Sequence, residues 1–245
     1  MHSDVGQAAK WLYFWRLQNL RGKTKSVYLF FEIHVLDCVQ KGKVAHSDLP
    51  SRPRSFASLP DASARYESPP ASQLQRLMWT KTGSECNHMD QVQPRIFLGD
   101  MYAAKDKRSL KAHGISHVLN AAHGKFNVNT GATFYRDVKV AYHGVEAFDM
   151  VTFDLSVFFY RAADFIRSAL SSPTGRVLVH CAMGLSRSST LVLAYLMIHE
   201  RMTLAEAIAA VSVKRNIAPN RGFLEQLRAL DVQLQSARHK ATGGT

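Results

Sequence analysis

The clearest chemistry in this chain lies in a cysteine and an arginine that are separated by five residues. The loop starts at Cys181 and ends at Arg187, and the residues between them are Ala182, Met183, Gly184, Leu185 and Ser186. An apolar run at 177–179 precedes the loop and a helical pattern at 188–199 follows it, which predicts a strand, a tight loop and a helix start. Such a loop can turn its backbone N–H groups inward, and the helix N-terminus adds positive potential. The pattern therefore predicts a phosphate-sized cradle with a nucleophile at its base.

Each residue type in this loop suits phosphate chemistry. The guanidinium of Arg187 can bind two phosphate oxygens at once, and Gly184 allows a backbone turn that a side chain would block. The same positive field favours the thiolate form of Cys181, which is the form that attacks phosphorus. His180 can hold the loop through its ring N–H groups, and Ser188 can donate to the thiolate when it leaves. A Cys-x5-Arg pair alone is a weak signal, whereas His-Cys-x-x-Gly-x-x-Arg-Ser between a strand and a helix is a specific one.

Attack by cysteine on a phosphate ester expels an oxygen leaving group that needs a proton, and a carboxylic acid from another loop is its natural source. Asp149 lies in such a loop, between a predicted strand and a predicted helix. Asp154 and Glu146 are the alternatives. Asp154 lies at a helix start, where a capping role explains it, and Glu146 directly follows the strand, as a surface residue would. The sequence favours Asp149 and leaves the other two open.

The cysteines and histidines argue against two other kinds of site. The chain has three cysteines, Cys38, Cys86 and Cys181, and none of them forms a Cys-x-x-Cys pair. So few cysteines argue against a disulfide framework and a structural zinc site, and they favour a reducing compartment. His113 and His117 are four residues apart, but no glutamate follows His113 as in a zinc-protease motif. We therefore expect no metal.

The net charge of +12 is compatible with an acidic partner, but its distribution does not favour nucleic acid. The densest basic cluster, at 105–111, falls on a predicted surface helix, and the chain lacks the aromatic interleaving of a single-strand binder. No run of 18 apolar residues occurs, and the first residues do not resemble a signal peptide. We therefore expect neither a nucleic-acid nor a membrane partner.

The chain is predicted to have four zones. An aromatic and basic extension at 1–43 has no assignable fold, and a linker at 44–70, rich in Ser and Pro, is expected to be disordered. A folded catalytic domain is predicted at 71–236 and a flexible tail at 237–245.

Within the folded zone, predicted strands alternate with predicted helices. The strands are 95–98, 117–121, 138–145 and 177–180, and the helices are a short one around Leu74, then 102–113, 155–170, 188–199, 204–214 and 221–234. Thr203 and Glu206 have the spacing of a capping box for the helix at 204–214. This alternation predicts an α/β fold with a largely parallel sheet covered by helices on both faces. Ligands bind such sheets at the carboxyl ends of the strands, where Cys181 lies.

The loop and its surroundings resemble the cysteine-dependent protein tyrosine phosphatases. Residues 180–188 look like their signature, and residues 191–197 resemble the dual-specificity branch. Similar segments extend from about residue 74 to about residue 234. The chain is most like the small atypical dual-specificity phosphatases, which lack a separate kinase-binding domain.

This resemblance implies a mixed, mostly parallel central sheet flanked by helices. It also implies the hydrolysis of phosphotyrosine and phosphoserine or phosphothreonine in proteins, with no cofactor. Cys181 would be the nucleophile, Arg187 the phosphate binder and Asp149 the general acid. Arg215 matches a position that meets a second phosphate in some relatives. Phe148 departs from the pattern, because many relatives carry a second Asp there.

Two classes of function are consistent with the sequence. The first is an active protein phosphatase, because the chain has a candidate nucleophile, phosphate binder and acid. The loop side chains of Ala182, Met183 and Leu185 are apolar, which favours a protein substrate, whereas lipid and RNA phosphatases of this chemistry often carry Lys or Arg there. The second is a kinase-binding regulator that acts by occupancy, since the basic and apolar pattern at 21–29 loosely resembles a kinase docking peptide. The expected partners are phosphoprotein substrates, with MAP kinases among the candidates. We expect a monomer or weak homodimer in the cytoplasm, with the nucleus as a second location.

Overall fold

A computed structural model of the protein describes residues 66–78, 87–124 and 127–242. The chain divides into two units, Met1–Leu59 and Pro60–Thr245, and every described residue belongs to the second. The predicted extension and most of the predicted linker therefore lie outside the described residues.

A five-stranded sheet forms the centre of the domain, with the strand order β1-β2-β5-β3-β4. The strands are β1 (Met89–Gln93), β2 (Ile96–Gly99), β3 (His117–Asn120), β4 (Ala141–Gly144) and β5 (Val177–His180). β1 pairs antiparallel with β2, and the other neighbours are parallel. The predicted α/β class and the mixed, mostly parallel sheet are confirmed.

Strand β5 carries the predicted loop at its carboxyl end and is buried along its whole length. It lies between β2 and β3, and its last residue, His180, is in register with Gly99 of β2 and Asn120 of β3. The carboxyl ends of three parallel strands therefore meet where the loop begins, which is the usual ligand-binding edge of such a sheet.

Helices cover both faces of the sheet because strand side chains alternate between them. The helices are α1 (Ala71–Leu77), α2 (Met101–Lys105), α3 (Lys107–Ala112), α4 (Phe159–Ser171), α5 (Arg187–Ile198), α6 (Leu204–Ser212) and α7 (Arg221–Thr242). Leu98, Leu119 and Val179 point into the larger core with α1 and α4 to α7, whereas Phe97 and Leu178 point into a smaller core with α2 and α3. Helix α5 is buried from Arg187 to Met197 and so forms the centre of the larger core.

Three predicted elements differ from the structure. The predicted helix 102–113 is two helices, because the side chain of Asp106 accepts hydrogen bonds from the N–H groups of Arg108 and Ser109 and starts a new helix. The predicted strand 138–145 begins only at β4, after a 3₁₀ turn, Arg136–Val138, whose C-cap Lys139 adopts a left-handed φ of 54°. The predicted helix 155–170 likewise begins with a 3₁₀ turn before α4.

Both predicted ends of the folded zone are also corrected. Helix α7 continues to Thr242, so the predicted tail is wrong for residues 237–242. At the other end, the Tyr66 hydroxyl donates to Asp231 at 2.7 Å, and Arg228 donates to the Pro69 carbonyl at 2.8 Å. The predicted linker is therefore wrong for residues 66–70, which contact α7. The predicted capping box of α6 is confirmed.

Candidate active site

The sulfur of Cys181 lies at the base of the loop and is almost fully buried. It accepts hydrogen bonds from the Gly184 N–H at 3.2 Å and from the Ser188 hydroxyl at 3.3 Å. The loop and the first turn of α5 thus surround one nucleophilic atom.

The backbone carbonyls of the loop are bound on its outer side. Their donors are His180 Nδ1 for Cys181, the Met101 N–H for Ala182, Arg215 Nε for Gly184, the Ala218 N–H for Leu185 and the Thr190 N–H for Ser186. Because the N–H and C=O of one peptide point in opposite directions, carbonyls fixed outward leave the N–H groups facing inward. Such inward N–H groups form an anion-binding concavity, and the N-terminus of α5 adds its positive potential.

His180 supports the start of the loop as a neutral side chain. Burial lowers its pKa to about 4, so its imidazole is uncharged at neutral pH. The ring donates from Nδ1 to the carbonyl of Cys181 at 3.2 Å. The ring thus contacts the first residue of the loop, and its role in holding the loop stays a prediction.

Arg187 begins α5 and connects the loop to the loop that carries Asp149. Its Nη1 donates to the Ala147 carbonyl at 3.0 Å, and its Nε lies 3.6 Å from a carboxylate oxygen of Asp149. The side chain is only 8% exposed, and its Nε lacks a hydrogen-bond partner among the described residues. A buried donor of this kind is costly unless something binds it, so the guanidinium is suited to receive an anion.

Asp149 is the carboxylate that the structure brings to the loop. Its Oδ1 accepts hydrogen bonds from the Ser186 hydroxyl at 2.7 Å and from the Asn220 amide at 2.9 Å. Of the alternatives, Asp154 accepts the N–H of Ser156 at 3.0 Å, as a capping residue does, and Glu146 is exposed. Of the three candidate carboxylates, the structure thus brings Asp149 to the phosphate loop, and its role as the acid stays a prediction.

Arg215 lies behind the loop with its guanidinium directed at protein groups. It donates to the Gly184 carbonyl at 3.1 Å and to a carboxylate oxygen of Asp90 at 2.6 Å. The residue is 8% exposed. Its guanidinium is therefore occupied by protein groups, and these contacts do not favour the second phosphate that the resemblance suggested.

Two residues near the site were not found by sequence reasoning. Asn220 caps α7 by accepting the Phe223 N–H at 3.0 Å, and the same side chain donates to Asp149. An Asn directly before a predicted helix is a common N-cap, but that position gives no signal for a contact with Asp149. Asp90 lies on β1, a strand that the sequence did not predict, and no motif marked it.

The rim of the site carries exposed apolar side chains. Met183 in the loop is 62% exposed, and Phe148 and Met150, on either side of Asp149, are 50% and 48% exposed. Large apolar side chains at this exposure are available to a bound partner.

Two kinds of feature are absent from the residues that the structure describes. No group of three or more His, Cys, Asp or Glu side chains there could hold a metal ion. No helix there is long and apolar enough to cross a membrane.

Comparison with known proteins identifies the family to which this domain belongs. Residues 96–233 match the family described as dual specificity phosphatase, catalytic domain, and the chain belongs to that family. The matched segment lies inside the predicted domain 71–236. The chain is therefore a protein phosphatase, and the resemblance that the sequence suggested is confirmed.

Two relatives and one solved structure show which members of the family the chain is similar to. The chain is 59% identical over 169 residues to dual specificity protein phosphatase 13B of Homo sapiens, across 69% of this chain and 85% of that protein. The Mus musculus protein of the same name is 54% identical over 170 residues, across 69% of this chain and 86% of that protein. The crystal structure of human DUSP28 is 29% identical and superposes with a TM-score of 0.54, across 61% of this chain and 96% of that chain.

Proposed function

We propose that the protein hydrolyses phosphotyrosine and phosphoserine or phosphothreonine in proteins through a phosphocysteine intermediate. The observation that carries this proposal is the position of the Cys181 sulfur, at the base of a loop with inward N–H groups and beside Arg187. The arrangement joins a nucleophile, an anion cradle and a carboxylic acid at one edge of the sheet.

In the first step, the loop N–H groups and the Arg187 guanidinium bind the phosphate oxygens. The thiolate of Cys181 then forms a sulfur–phosphorus bond while the bond from phosphorus to the ester oxygen breaks. Asp149 gives its proton to that departing oxygen.

In the second step, water attacks the phosphocysteine and the sulfur–phosphorus bond breaks. The Asp149 carboxylate takes a proton from the water, which regenerates the acid. The Ser188 hydroxyl, 3.3 Å from the sulfur, stabilises the departing thiolate. Inorganic phosphate is released and Cys181 returns to its starting state.

The side chains around the cradle support a protein substrate. Between Cys181 and Arg187 the loop has no charged side chain, so it offers no additional cation to a polyanionic lipid headgroup or to RNA. The exposed Met183 and Phe148 can instead contact apolar residues on either side of a phosphorylated residue. These features favour a phosphopeptide chain lying across the rim.

Trapping the intermediate tests the proposal. Wild-type protein is quenched in acid during turnover of a phosphotyrosine and a phosphothreonine peptide, and the modified residue is identified by mass spectrometry. We expect phosphorus on Cys181 and no hydrolysis by the Cys181→Ser variant. A Cys38→Ser/Cys86→Ser variant is the matched control and should keep wild-type rates. Phosphorus on another residue, or wild-type hydrolysis by Cys181→Ser, would exclude this mechanism.

The remaining expectations stay predictions. The kinase-binding alternative depends on residues 21–29, which lie outside the described residues. The MAP-kinase partners, the oligomeric state and the cellular location are likewise expectations from the sequence.

A further inference from the structure

We propose that Asp90 and Arg215 act as a pair of positioning residues that hold the phosphate loop in its anion-binding shape, an inference that rests on the proposed function. Neither residue reaches the inside of the loop. Arg215 follows α6, whereas Asp90 lies on the edge strand β1. The two meet behind the loop, on the side away from the substrate.

The guanidinium of Arg215 joins three segments of the chain. Its Nε donates to the Gly184 carbonyl at 3.1 Å, and its Nη2 lies 3.5 Å from the Met183 carbonyl. Its Nη1 donates to the Asn87 carbonyl at 2.9 Å and to Asp90 Oδ2 at 2.6 Å. Two successive loop carbonyls are thus fixed to one rigid fork, and that fork is fixed to the start of β1.

The carboxylate of Asp90 is held on both sides. Its Oδ2 accepts from Arg215, and its Oδ1 accepts from the Asn87 amide at 3.0 Å. The two charged side chains are 9% and 15% exposed, so solvent screens them little. The ion pair of Lys107 with Asp137 is more exposed, at 31% and 63%, so solvent screens it and it contributes little to the stability of the fold. Removal of one partner from the buried pair leaves the other charge without compensation.

Gly184 connects this pair to the nucleophile. Its carbonyl is bound by Arg215, and its own N–H donates to the Cys181 sulfur at 3.2 Å. Gly184 has a φ of +71°, and a Cβ at this position would lie 2.5 Å from the Gly99 carbonyl oxygen and 2.9 Å from Arg215 Nη2. The turn therefore fits closely between β2 and the guanidinium. A displacement of Arg215 changes the direction of an N–H group that faces the reacting sulfur.

Asp90 also lies outside the segment 96–233 that matches the family. It reaches the loop because β1 pairs antiparallel with β2, with Asp90 opposite Leu98. An element that precedes the matched segment thus completes the support of the candidate active site.

Anion binding by an Asp90→Asn variant distinguishes a positioning role from a purely electrostatic one, because the two roles predict opposite changes in affinity. If Asp90 acted only through its negative charge, the Asp90→Asn variant would bind anions more tightly. If it positions the loop, the same variant should bind them more weakly. Losing one charge-assisted hydrogen bond predicts about 10-fold weaker binding of orthovanadate, measured by titration calorimetry. This readout does not need turnover, so it separates failure of this inference from failure of the proposed function.

The kinetic expectation for Asp90→Asn is a KM for a small aryl phosphate raised about as much as the vanadate dissociation constant, with a smaller change in kcat. Asp137→Asn, which removes the surface partner of Lys107, is the matched control and should bind vanadate like wild type. Unchanged or tighter vanadate binding by Asp90→Asn would overturn the inference, even if its melting temperature fell.

A double-mutant cycle tests whether the two residues act together. Arg215→Lys keeps the positive charge but loses the planar fork, and it should weaken vanadate binding by itself. The Asp90→Asn/Arg215→Lys variant should be no weaker than Arg215→Lys alone, because the fork that Asp90 holds is already lost. Additive losses would show independent roles and refute the pair. If Asp90→Asn does not fold, Asp90→Glu replaces it, because it keeps the charge and changes the geometry.

Discussion

The two loops that form the candidate site are held in very different ways. In the phosphate loop, every carbonyl from Cys181 to Ser186 contacts a donor outside or behind the loop. In the acid loop, residues 145–154, the backbone hydrogen bonds within the loop span only two or three residues, such as Met150 to Phe148. Several of its side chains, including Phe148, are exposed.

This difference matches the different tasks that the two loops have in the proposed reaction. Stabilising a phosphoryl group needs fixed dipoles that do not reorganise during the reaction. Delivering a proton needs a carboxyl group that can adjust to the leaving oxygen of different substrates. Three contacts join the loops: Asp149 with Ser186, Asp149 with Arg187, and Arg187 with the Ala147 carbonyl. Variants of the residues at these contacts test which loop limits the rate of hydrolysis.

The largest effect is expected when the acid loop loses its carboxyl group. Asp149→Ala should lower kcat for a phosphothreonine peptide by about 10²–10⁴-fold, because the alkoxide then leaves without a proton. An aryl phosphate with an acidic phenol should lose far less. Steady-state rates with both substrates measure the difference, and Asp154→Asn is the matched control. An equal loss with both substrates would contradict the assignment of the acid.

Arg187→Lys removes the planar fork of the phosphate loop but keeps its charge. A lysine cannot bind two phosphate oxygens in one plane and also reach the Ala147 carbonyl. We expect kcat/KM to fall by about 10²–10³-fold with both kinds of ester, since the bound phosphoryl group is the same. Arg221→Lys, at the start of α7, is the control. A loss confined to the poor leaving group would place the main role of Arg187 in the acid loop instead.

Acid should destabilise the folded protein through His180, the residue that precedes the phosphate loop. Its pKa is lowered to about 4 by burial, against about 6.5 in an unfolded chain. Between these pH values the unfolded state binds a proton that the folded state does not. The free energy of unfolding should therefore keep its full value above pH 6.5 and fall by about 3 kcal/mol as the pH drops towards 4.

Denaturant titrations at several pH values measure this loss. His117 and His143, whose pKa values burial also lowers, contribute in the same direction. The His180→Asn variant keeps an amide donor near the position of Nδ1 but cannot titrate, so its stability should depend less on pH in this range. Equal slopes for the variant and wild type would mean that His180 is not the main acid-sensitive group.

The same contrast between local and distant contacts explains what the sequence could predict. The phosphate loop was visible because its chemistry lies within a few consecutive residues, and β5 was visible because a fully buried strand is a continuous apolar run. Strand β1 was missed because only Val92 is buried in it, and half-exposed polar residues give no period-two pattern. The break at Asp106 was missed because the apolar spacing continues across it.

Contacts between residues far apart in the chain could not be predicted from the sequence. Asp90 and Arg215 are 125 residues apart, and no spacing rule connects a polar residue on an edge strand to an arginine after a helix. Asp149 could be ranked above Asp154 and Glu146 as the candidate acid, but the sequence alone did not exclude the other two. The contacts of Asp149 with Ser186 and Asn220 form only in the folded protein.

The smallest expected effect concerns Asn220, which contacts both loops. Its amide donates to Asp149 and its backbone N–H donates to the Ser186 hydroxyl at 3.2 Å, while its Oδ1 caps α7 through Phe223. Asn220→Ser keeps a capping oxygen but loses the amide donor, so it isolates the contact with the acid. We expect kcat for a phosphothreonine peptide to fall about 5-fold, the effect of one net hydrogen bond.

Orthovanadate affinity should stay unchanged in Asn220→Ser, because the phosphate loop keeps its carbonyl contacts. Asn220→Ala, which also loses the cap, should show the same rate loss together with a lower melting temperature. If Asn220→Ser instead weakened vanadate binding and left the leaving-group dependence as in wild type, Asn220 would belong to the support of the rigid loop. The side chain of Asp149 would then depend on its contacts with Ser186 and Arg187 for its position.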